Sequence, residues 1–406
     1  MPASRTLHVA LPAMNEAAFL PQTMECLKRQ QHDNFQVWVC VNQPESWWSE
    51  AEKLAICEDN RQTLYYLHKL GWEHLHIIDQ SSPGHGWKGK ALGVGQARKV
   101  IMDAINKVSR PDDIIVSLDA DTVFEPGYLT SIEKVFERFP TAVALSNPYY
   151  HRLTGDDTLD RAMLRYEIYM RYYAINMWRI GSPYSFTALG SAIALPATAY
   201  RKIGGMTAKK SGEDFYLLQK LRKAGWIANF NSSKVFPGTR YSDRVFFGTG
   251  PALIKGSAGL WDSYPVYDYR LFDRVRKTYL LFPELLENKM ETPMSAFLNQ
   301  QFGEDDIFEP LRQNHKNVSA FVKACHHKVD GLRILQFLKY QQGQVSYRDE
   351  DNLLTFLAEF FPDFFVKFEK EAFENLDFQT SSIEMLDGIR RFLMEKEQVF
   401  QENDRP

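Results

Sequence analysis

The sequence predicts an α/β fold: a mostly parallel sheet flanked by helices, followed by an additional helical C-terminal domain. Three observations carry this. Short apolar runs alternate with amphipathic helical patterns over the first 225 or so residues. Several of those runs are apolar throughout, as strands covered on both faces are. After about residue 265 glycine becomes scarce and helical periodicity dominates.

The elements follow in order. Leu7 to Leu11 reads as a first strand, Pro12 to Glu16 as a polar loop, and Phe19 to Gln30 as a helix. Phe35 to Val41 is a second strand and His74 to Asp79 a third. Ser81 to Gly89 is a loop rich in Gly, Ser and Pro, and Lys90 to Val108 a helix. Asp113 to Leu118 is a fourth strand, Tyr128 to Phe139 a helix, and Ala142 to Asn147 another strand. Leu159 to Arg179 is a long helix, and Glu213 to Ala224 a helix closed by Gly225. Helical stripes over Val318–His326, Gly331–Tyr340 and Leu353–Phe361 fill the remainder. The expected division is 1–265 for the α/β domain and 266–406 for the helical one. The helical part is expected to pack on the α/β core and shape one side of its ligand site. The aromatic residues Phe360, Phe361, Phe364 and Phe365 are expected to serve as packing more than as ligand contacts.

Composition narrows the function classes. With 406 residues, 44% hydrophobic and 24% charged, the chain is long enough for one large domain or two of ordinary size. A net charge of −3 gives no global basic field for nucleic acid. The N-terminus lacks a signal-peptide pattern, and the apolar stretch Thr187–Tyr200 is too short and interrupted to span a bilayer. Cys26, Cys40, Cys57 and Cys325 have no metal-ligand spacing and are read as reduced, which suits the cytoplasm. Peripheral membrane contact through the aromatic helical domain is compatible with this composition. His326-His327 reads as a helix surface.

The richest stretch is Ile114 to Asp121, an apolar run ending in Asp119 and Asp121. In an extended chain, residues two apart point the same way. Two carboxylates aimed at one point repel unless a cation lies between them, and oxygen donors favour Mg²⁺ or Mn²⁺. Carboxyl ends of strands are where α/β sheets bind ligands. Gly84 to Ala91 fits G-x-x-x-x-G-K but has Ala91 where a phosphate loop carries Ser or Thr, so a P-loop phosphotransferase is a rival reading. Ser211-Gly212-Glu213-Asp214 opens a helical run. Ser211 with Asp214 makes a capping-box pattern. Equally, a carboxylate at a helix start is kept ionised by the helix dipole and could accept a proton. Arg240 and Arg244 carry planar forks suited to phosphate oxygens, with surface salt bridging as the plainer alternative.

Taken in order, these segments resemble the family 2 glycosyltransferases of the GT-A fold over roughly residues 5 to 260. The strand with Pro12, Asn15 and Glu16 is similar to the family's P-x-x-N-E turn. Gly86 to Leu92, with Lys90, resembles its glycine-lysine segment. Asp119-Ala120-Asp121 resembles its D-x-D signature. Leu189 to Leu195, followed by Gly204-Gly205-Met206, is similar to the acceptor-side segment ahead of a G-G-F-like turn. Gly212-Glu213-Asp214 resembles the acidic pair whose aspartate is the usual base. The sequence departs from the family at Val41-Asn42-Gln43-Pro44-Glu45-Ser46, where Asp-Asp-Gly-Ser is frequent, and at Gly93, where asparagine is. The Q-x-x-R-W motif of processive synthases is absent, and membrane-spanning patterns are too.

The resemblance implies a metal-dependent, inverting transfer of a sugar from a nucleoside diphosphate donor, UDP- or GDP-linked, to a glycan or lipid-linked acceptor hydroxyl. It implies Asp121 as metal ligand, with Asp119 nearer the ribose or in the metal's second shell. Donor contacts would come from Pro12, Asn15, Glu16, Asn42, Lys90, Asp119, Arg240 and Arg244. Gly190, Ser191 and Glu213 would lie on the acceptor side, and Asp214 would be the base. A degenerate GT-A binding module is the non-enzymatic alternative. The altered segment at Asn42 favours it, and the intact Asp119, Asp121 and Asp214 speak against it.

Overall fold

The computed structural model describes residues 5–89, 93–209, 211–242, 248–344, 347–368, 373 and 375–406. Nine strands are described: β1 (Leu7–Ala13), β2 (Phe35–Asn42), β3 (Leu75–Gln80), β4 (Ile114–Ser117), β5 (Val123–Phe124), β6 (Ala144–Ser146), β7 (Ile193–Pro196), β8 (Ile227–Ala228) and β9 (Val235–Phe236). The helices between them are α1 (Leu20–Lys28), α2 (Leu54–Leu70), α3 (Val94–Val108), α4 (Tyr128–Arg138), α5 (Asp157–Arg179), α6 (Ala197–Lys202) and α7 (Glu213–Ala224).

Seven strands make one sheet in the order β3-β2-β1-β4-β7-β6-β8. The β1–β2, β2–β3, β1–β4 and β6–β8 pairs are parallel. β7 runs antiparallel to both β4 and β6. This is the mostly parallel, helix-flanked sheet that the sequence predicts. The apolar character of β1, β2 and β4 follows from their central place. Leu7 to Ala13 and Val37 to Asn42 are buried without interruption, so alternation is absent because neither face meets water. Pro12 lies beyond Leu7–Ala10, the stretch that pairs with β4, where a missing N–H is tolerated. Helix α3 lays Ala97, Ile101, Met102 and Ile105 against the sheet, beside Trp38, Ile115 and Leu195. Helices α1, α2 and α3 make the crossovers that parallel pairing requires.

The chain divides into two compact units. One holds Met1–Met163, Phe186–Ala258 and Gln401–Pro406; the other holds Leu164–Ser185 and Gly259–Phe400. The segment from Leu164 to Ser185, most of α5, thus groups with the C-terminal residues. Buried charges explain the grouping. Arg171 pairs with Glu167 at 2.5 Å and with Glu397 at 2.7 Å, and Arg390 reaches Glu167 at 3.4 Å. Removing one partner from such a network leaves an uncompensated buried charge, which costs several kcal/mol.

Helix α8 (Thr249–Ser257) belongs to the first unit; the second holds α9 (Tyr269–Leu281), α10 (Ser295–Phe302), α11 (Glu309–Asn314), α12 (Val318–Lys328), α13 (Gly331–Gln342), α14 (Asp349–Phe360), α15 (Phe364–Lys367) and α16 (Ile383–Asn403) as far as Phe400. Its aromatic residues pack on one another. Phe364 is fully buried, with ring centroids of Phe365, Phe368, Phe373 and Phe392 between 4.9 and 5.1 Å away. His326 is a correction to the sequence reading. Rather than lying on a helix surface, its ring sits edge-on to Tyr279 and Phe282, at 4.6 and 5.0 Å. Among the described residues, no helix is long and apolar enough to cross a membrane.

Phe364→Ala should lower unfolding free energy by roughly 3–5 kcal/mol in a denaturant melt. Val366→Ala, two residues along and 89% exposed, should stay within about 0.5 kcal/mol. Equal effects of the two would contradict the packing role assigned to Phe364.

Candidate active site

The sheet order reverses between β1 and β4. From β1 the chain builds outward through β2 and β3 on one side, then returns to place β4 on the other. Such a reversal opens a crevice beyond the carboxyl ends of the two strands. The loops leaving β1 and β4 carry Asn15, Glu16, Asp119 and Asp121.

After β1, Asn15 takes a left-handed backbone (φ 58°), a conformation asparagine tolerates better than most residues. Its N–H donates to Asn60 Oδ1 at 2.9 Å. The turn lets Glu16 tuck inward. Its carbonyl accepts the N–H of Leu20 at the start of α1, and its carboxylate is buried. Asn42, at the end of β2, spends both ends of its amide within the protein. Nδ2 donates to the Ala13 carbonyl at 2.9 Å, and Oδ1 accepts from Trp87 Nε1 at 3.2 Å.

After β4 the chain turns at once. The Thr122 N–H bonds back to the Asp119 carbonyl at 3.1 Å. Asp119 and Asp121 therefore stand in a turn, not on an extended strand, and the alternation argument does not govern them. Each is met by its own arginine. Arg98 Nη2 donates to Asp119 Oδ1 at 2.7 Å. Arg240 Nε donates to Asp121 Oδ2 at 2.8 Å, and its Nη2 reaches Glu16 Oε1 at 2.5 Å. Gly238 is what lets Asp121 lie there: a Cβ on it would fall 2.8 Å from Asp121 Oδ2.

Arg98 is the residue that sequence reasoning missed. Its side chain is 2% exposed. Besides Asp119 it donates to the Gly190 carbonyl at 2.9 Å, to Ser117 Oγ, and to Glu213 Oε1 at 3.4 Å. Burial alone would pull the guanidinium down, but Asp119 and Glu213 more than offset it, so it stays charged. Glycine at 190 leaves room for this arrangement, because a Cβ would lie 2.4 Å from Arg98 Nη2 and the guanidinium would have to shift off its partners. The turn Gly190–Ala192, with Ser191 buried inside it, is thereby held against the end of β4.

Glu213 and Asp214 open α7. The N-cap is Gly212, left-handed at φ 71°, with no side-chain cap bond, so Ser211 does not stand at the capping position that the Ser211–Asp214 pattern suggests. Asp214 Oδ1 instead accepts from the N–H of Phe215, its own neighbour, at 2.7 Å. The expectation that the helix start keeps Asp214 readily ionised also needs correcting. Burial, then the adjacent Glu213, push its carboxyl up to about 7, and the Phe215 N–H and Arg98 offset only part of that. Glu213 is raised as well, chiefly by burial, with Arg98 opposing.

The glycine-rich loop does not present bare amides. Gly84 and Gly86 donate to the Glu45 carboxylate at 2.8 and 2.7 Å, where a phosphate loop would bind phosphate. Lys90, Ala91 and Arg244 lie outside the described residues.

A divalent ion is implied by the resemblance, and the donor set tests it. Among the described residues no cluster of three or more His, Cys, Asp or Glu side chains forms a metal cage. The aspartate pair nonetheless suits a hard ion that completes its shell with phosphate and water. Arg98 engages Asp119 through Oδ1 and Arg240 engages Asp121 through Oδ2, so each carboxylate keeps a second oxygen as a hard donor while its charge is already matched by a guanidinium.

Comparison with known proteins bears on this constellation. Residues 114–262 match the family described as Glycosyl transferase family group 2. No curated protein matches the chain. Among solved structures, the chain is similar to residues 1–349 of TarS from S. aureus in complex with UDP-GlcNAc, at 12% identity and a TM-score of 0.38, covering 85% of this chain and 93% of that one. It is also similar to the mannosyltransferase PcManGT from Pyrobaculum calidifontis in complex with GDP-Man and Mn²⁺, at 13% identity and a TM-score of 0.35, covering 100% of this chain and 89% of that one.

The raised carboxyl of Asp214 predicts a pH-dependent stability. Its folded value, about 7, lies above an unfolded value near 3.9. Between the two, the folded chain holds a proton that the unfolded chain releases, so stability falls as pH rises through this window. Asp214→Asn should flatten that fall when melting temperature is followed from pH 5 to 8. An unchanged slope would show that Asp214 is not the group responsible.

Proposed function

We propose, from the match of residues 114–262 to the family described as Glycosyl transferase family group 2, that the chain transfers a sugar from a nucleoside diphosphate donor to an acceptor hydroxyl with inversion. The observation that carries this is the meeting of Asp119 and Glu213 on one buried guanidinium, that of Arg98. Asp119 and Glu213, both inside the matched segment, thereby share a single anchor contributed by a residue that precedes it.

Asp214 takes the proton of the acceptor hydroxyl as its oxygen attacks the anomeric carbon. The bond from that carbon to the diphosphate oxygen breaks on the opposite face, which inverts the centre. Arg240, with Lys90 and Arg244, holds the diphosphate through charge-assisted hydrogen bonds. Asn15, Glu16 and Asn42, after Pro12, border the nucleoside. Asp119 and Asp121 would hold a divalent ion, which supplies positive charge to the departing diphosphate. Gly190 and Ser191 line the acceptor side. The UDP- or GDP-linked donor, the glycan or lipid-linked acceptor and a cytoplasmic site of action belong to the same proposal. So does assigning transfer to residues 1–265 and a supporting role to the helical residues 266–406. The Glu45 contacts to Gly84 and Gly86 weigh against the P-loop alternative.

A base with a folded value near 7 is half-protonated at neutral pH, so transfer should rise with pH through about 7. Release of UDP or GDP from a sugar donor, followed against pH, tests this. Asp214→Asn should cut kcat by on the order of a hundredfold or more while donor affinity holds. Glu213→Gln removes a repelling charge and should move the rising limb to lower pH. Full turnover by Asp214→Asn, or ATP hydrolysis in place of sugar release, would overturn the proposal.

A further inference from the structure

We propose that Arg240 is an internal counter-ion: it occupies Asp121 in the free chain and yields that carboxylate only when a divalent cation and a diphosphate arrive together. The inference rests on the nucleoside diphosphate reading above and adds an order to its binding events.

The geometry is specific. Both Nε and Nη2 of Arg240 lie on one oxygen of Asp121, Oδ2, at 2.8 and 2.7 Å. Nη2 also touches Glu16 Oε1 at 2.5 Å. The guanidinium lies over the Phe19 ring, 4.1 Å from its centroid. Arg240 is thus held on three sides by the loops leaving β1 and β4. Burial disfavours its charge, but Asp121 and Glu16 outweigh that and keep it protonated.

Charge counting gives the consequence. Glu16, Asp121 and Arg240 together carry −1. A divalent cation added alone would make the cluster +1 and face a guanidinium already seated on its ligand. Like charges a few ångströms apart in a partly buried crevice repel by several kcal/mol before any rearrangement. If Arg240 left without a new partner, it would forfeit two ion pairs. A diphosphate removes both difficulties. It restores negative charge and offers Arg240 phosphate oxygens, which its planar fork suits as well as carboxylates. The cation and the diphosphate therefore bind as a coupled pair, each raising the other's affinity by the same factor. Without its guanidinium, the site should accept the cation by itself.

The test uses the full chain with Mn²⁺, without and with nucleotide, and reads free Mn²⁺ by its electron paramagnetic resonance signal against protein-free controls that account for Mn²⁺ bound by UDP or GDP in solution. The wild-type chain should bind Mn²⁺ weakly, and about tenfold or more tightly when UDP or GDP is present, within the usual range of such coupling. Arg240→Gln should bind Mn²⁺ without nucleotide about tenfold more tightly than the wild type, and nucleotide should raise that affinity by a smaller factor than in the wild type. Arg240→Lys keeps the charge but loses the fork. It should fall between the two, and it supplies the comparison if Arg240→Gln does not fold. Equal Mn²⁺ affinity of wild type and variants without nucleotide overturns this inference and leaves the transferase reading standing. Absence of Mn²⁺ binding by the wild type with either nucleotide overturns both.

Discussion

A single buried guanidinium organises the candidate site. Arg98 projects from α3 into the end of the sheet and meets Asp119, Glu213, Ser117 and the Gly190 carbonyl. An arginine taken out of water at this depth is costly unless its donors are matched and its charge is paired. Here the matching groups come from three separate stretches of chain, and the need to satisfy one cation draws those stretches together. Gly190 gives up a side chain so that Arg98 can reach. Glu213 stays at the start of α7, where it raises its neighbour Asp214.

The two aspartates after β4 are treated differently by their surroundings. Asp119 answers to Arg98, which is locked in the interior. Asp121 answers to Arg240, which is one-fifth exposed and sits at the edge of the crevice. A buried arginine with four partners has little freedom to leave, whereas Arg240 can exchange carboxylate for phosphate at small cost. The pairing thus separates a fixed structural charge from a transferable one.

Much of the fold was legible because β1, β2 and β4 are apolar throughout and the helices between them are amphipathic. Glu213–Ala224 was bounded correctly because Gly225 ends it and its apolar stripe is regular. Helix α2 went unread: its buried face is Cys57, Asn60, Thr63, Leu64 and Leu67, so polar residues interrupt the apolar stripe that would have announced it. β7 was legible only as a motif, since four residues cannot announce that they run antiparallel. In the site, Asp119, Asp121, Glu213, Asp214 and Arg240 were visible as charged residues beside apolar runs. Arg98 was not, although a signal was there. It falls on the same helical stripe as Ala97, Ile101, Met102 and Ile105, and a cation on an apolar stripe asks for buried partners. The perturbed carboxyl of Asp214 was beyond sequence reasoning, because it arises from burial and tertiary neighbours, not from its place at a helix start.

Arg98 ties the carboxylate of Asp119, after β4, to that of Glu213, at the start of α7. A double-mutant cycle between Asp119→Asn and Glu213→Gln, measured on kcat/KM for sugar transfer, tests it most directly. With Arg98 present, the two changes should be non-additive by about 1 kcal/mol or more, as residues sharing one charged partner are. In an Arg98→Met background the coupling should vanish. Additive effects in the chain that retains Arg98 would contradict the account.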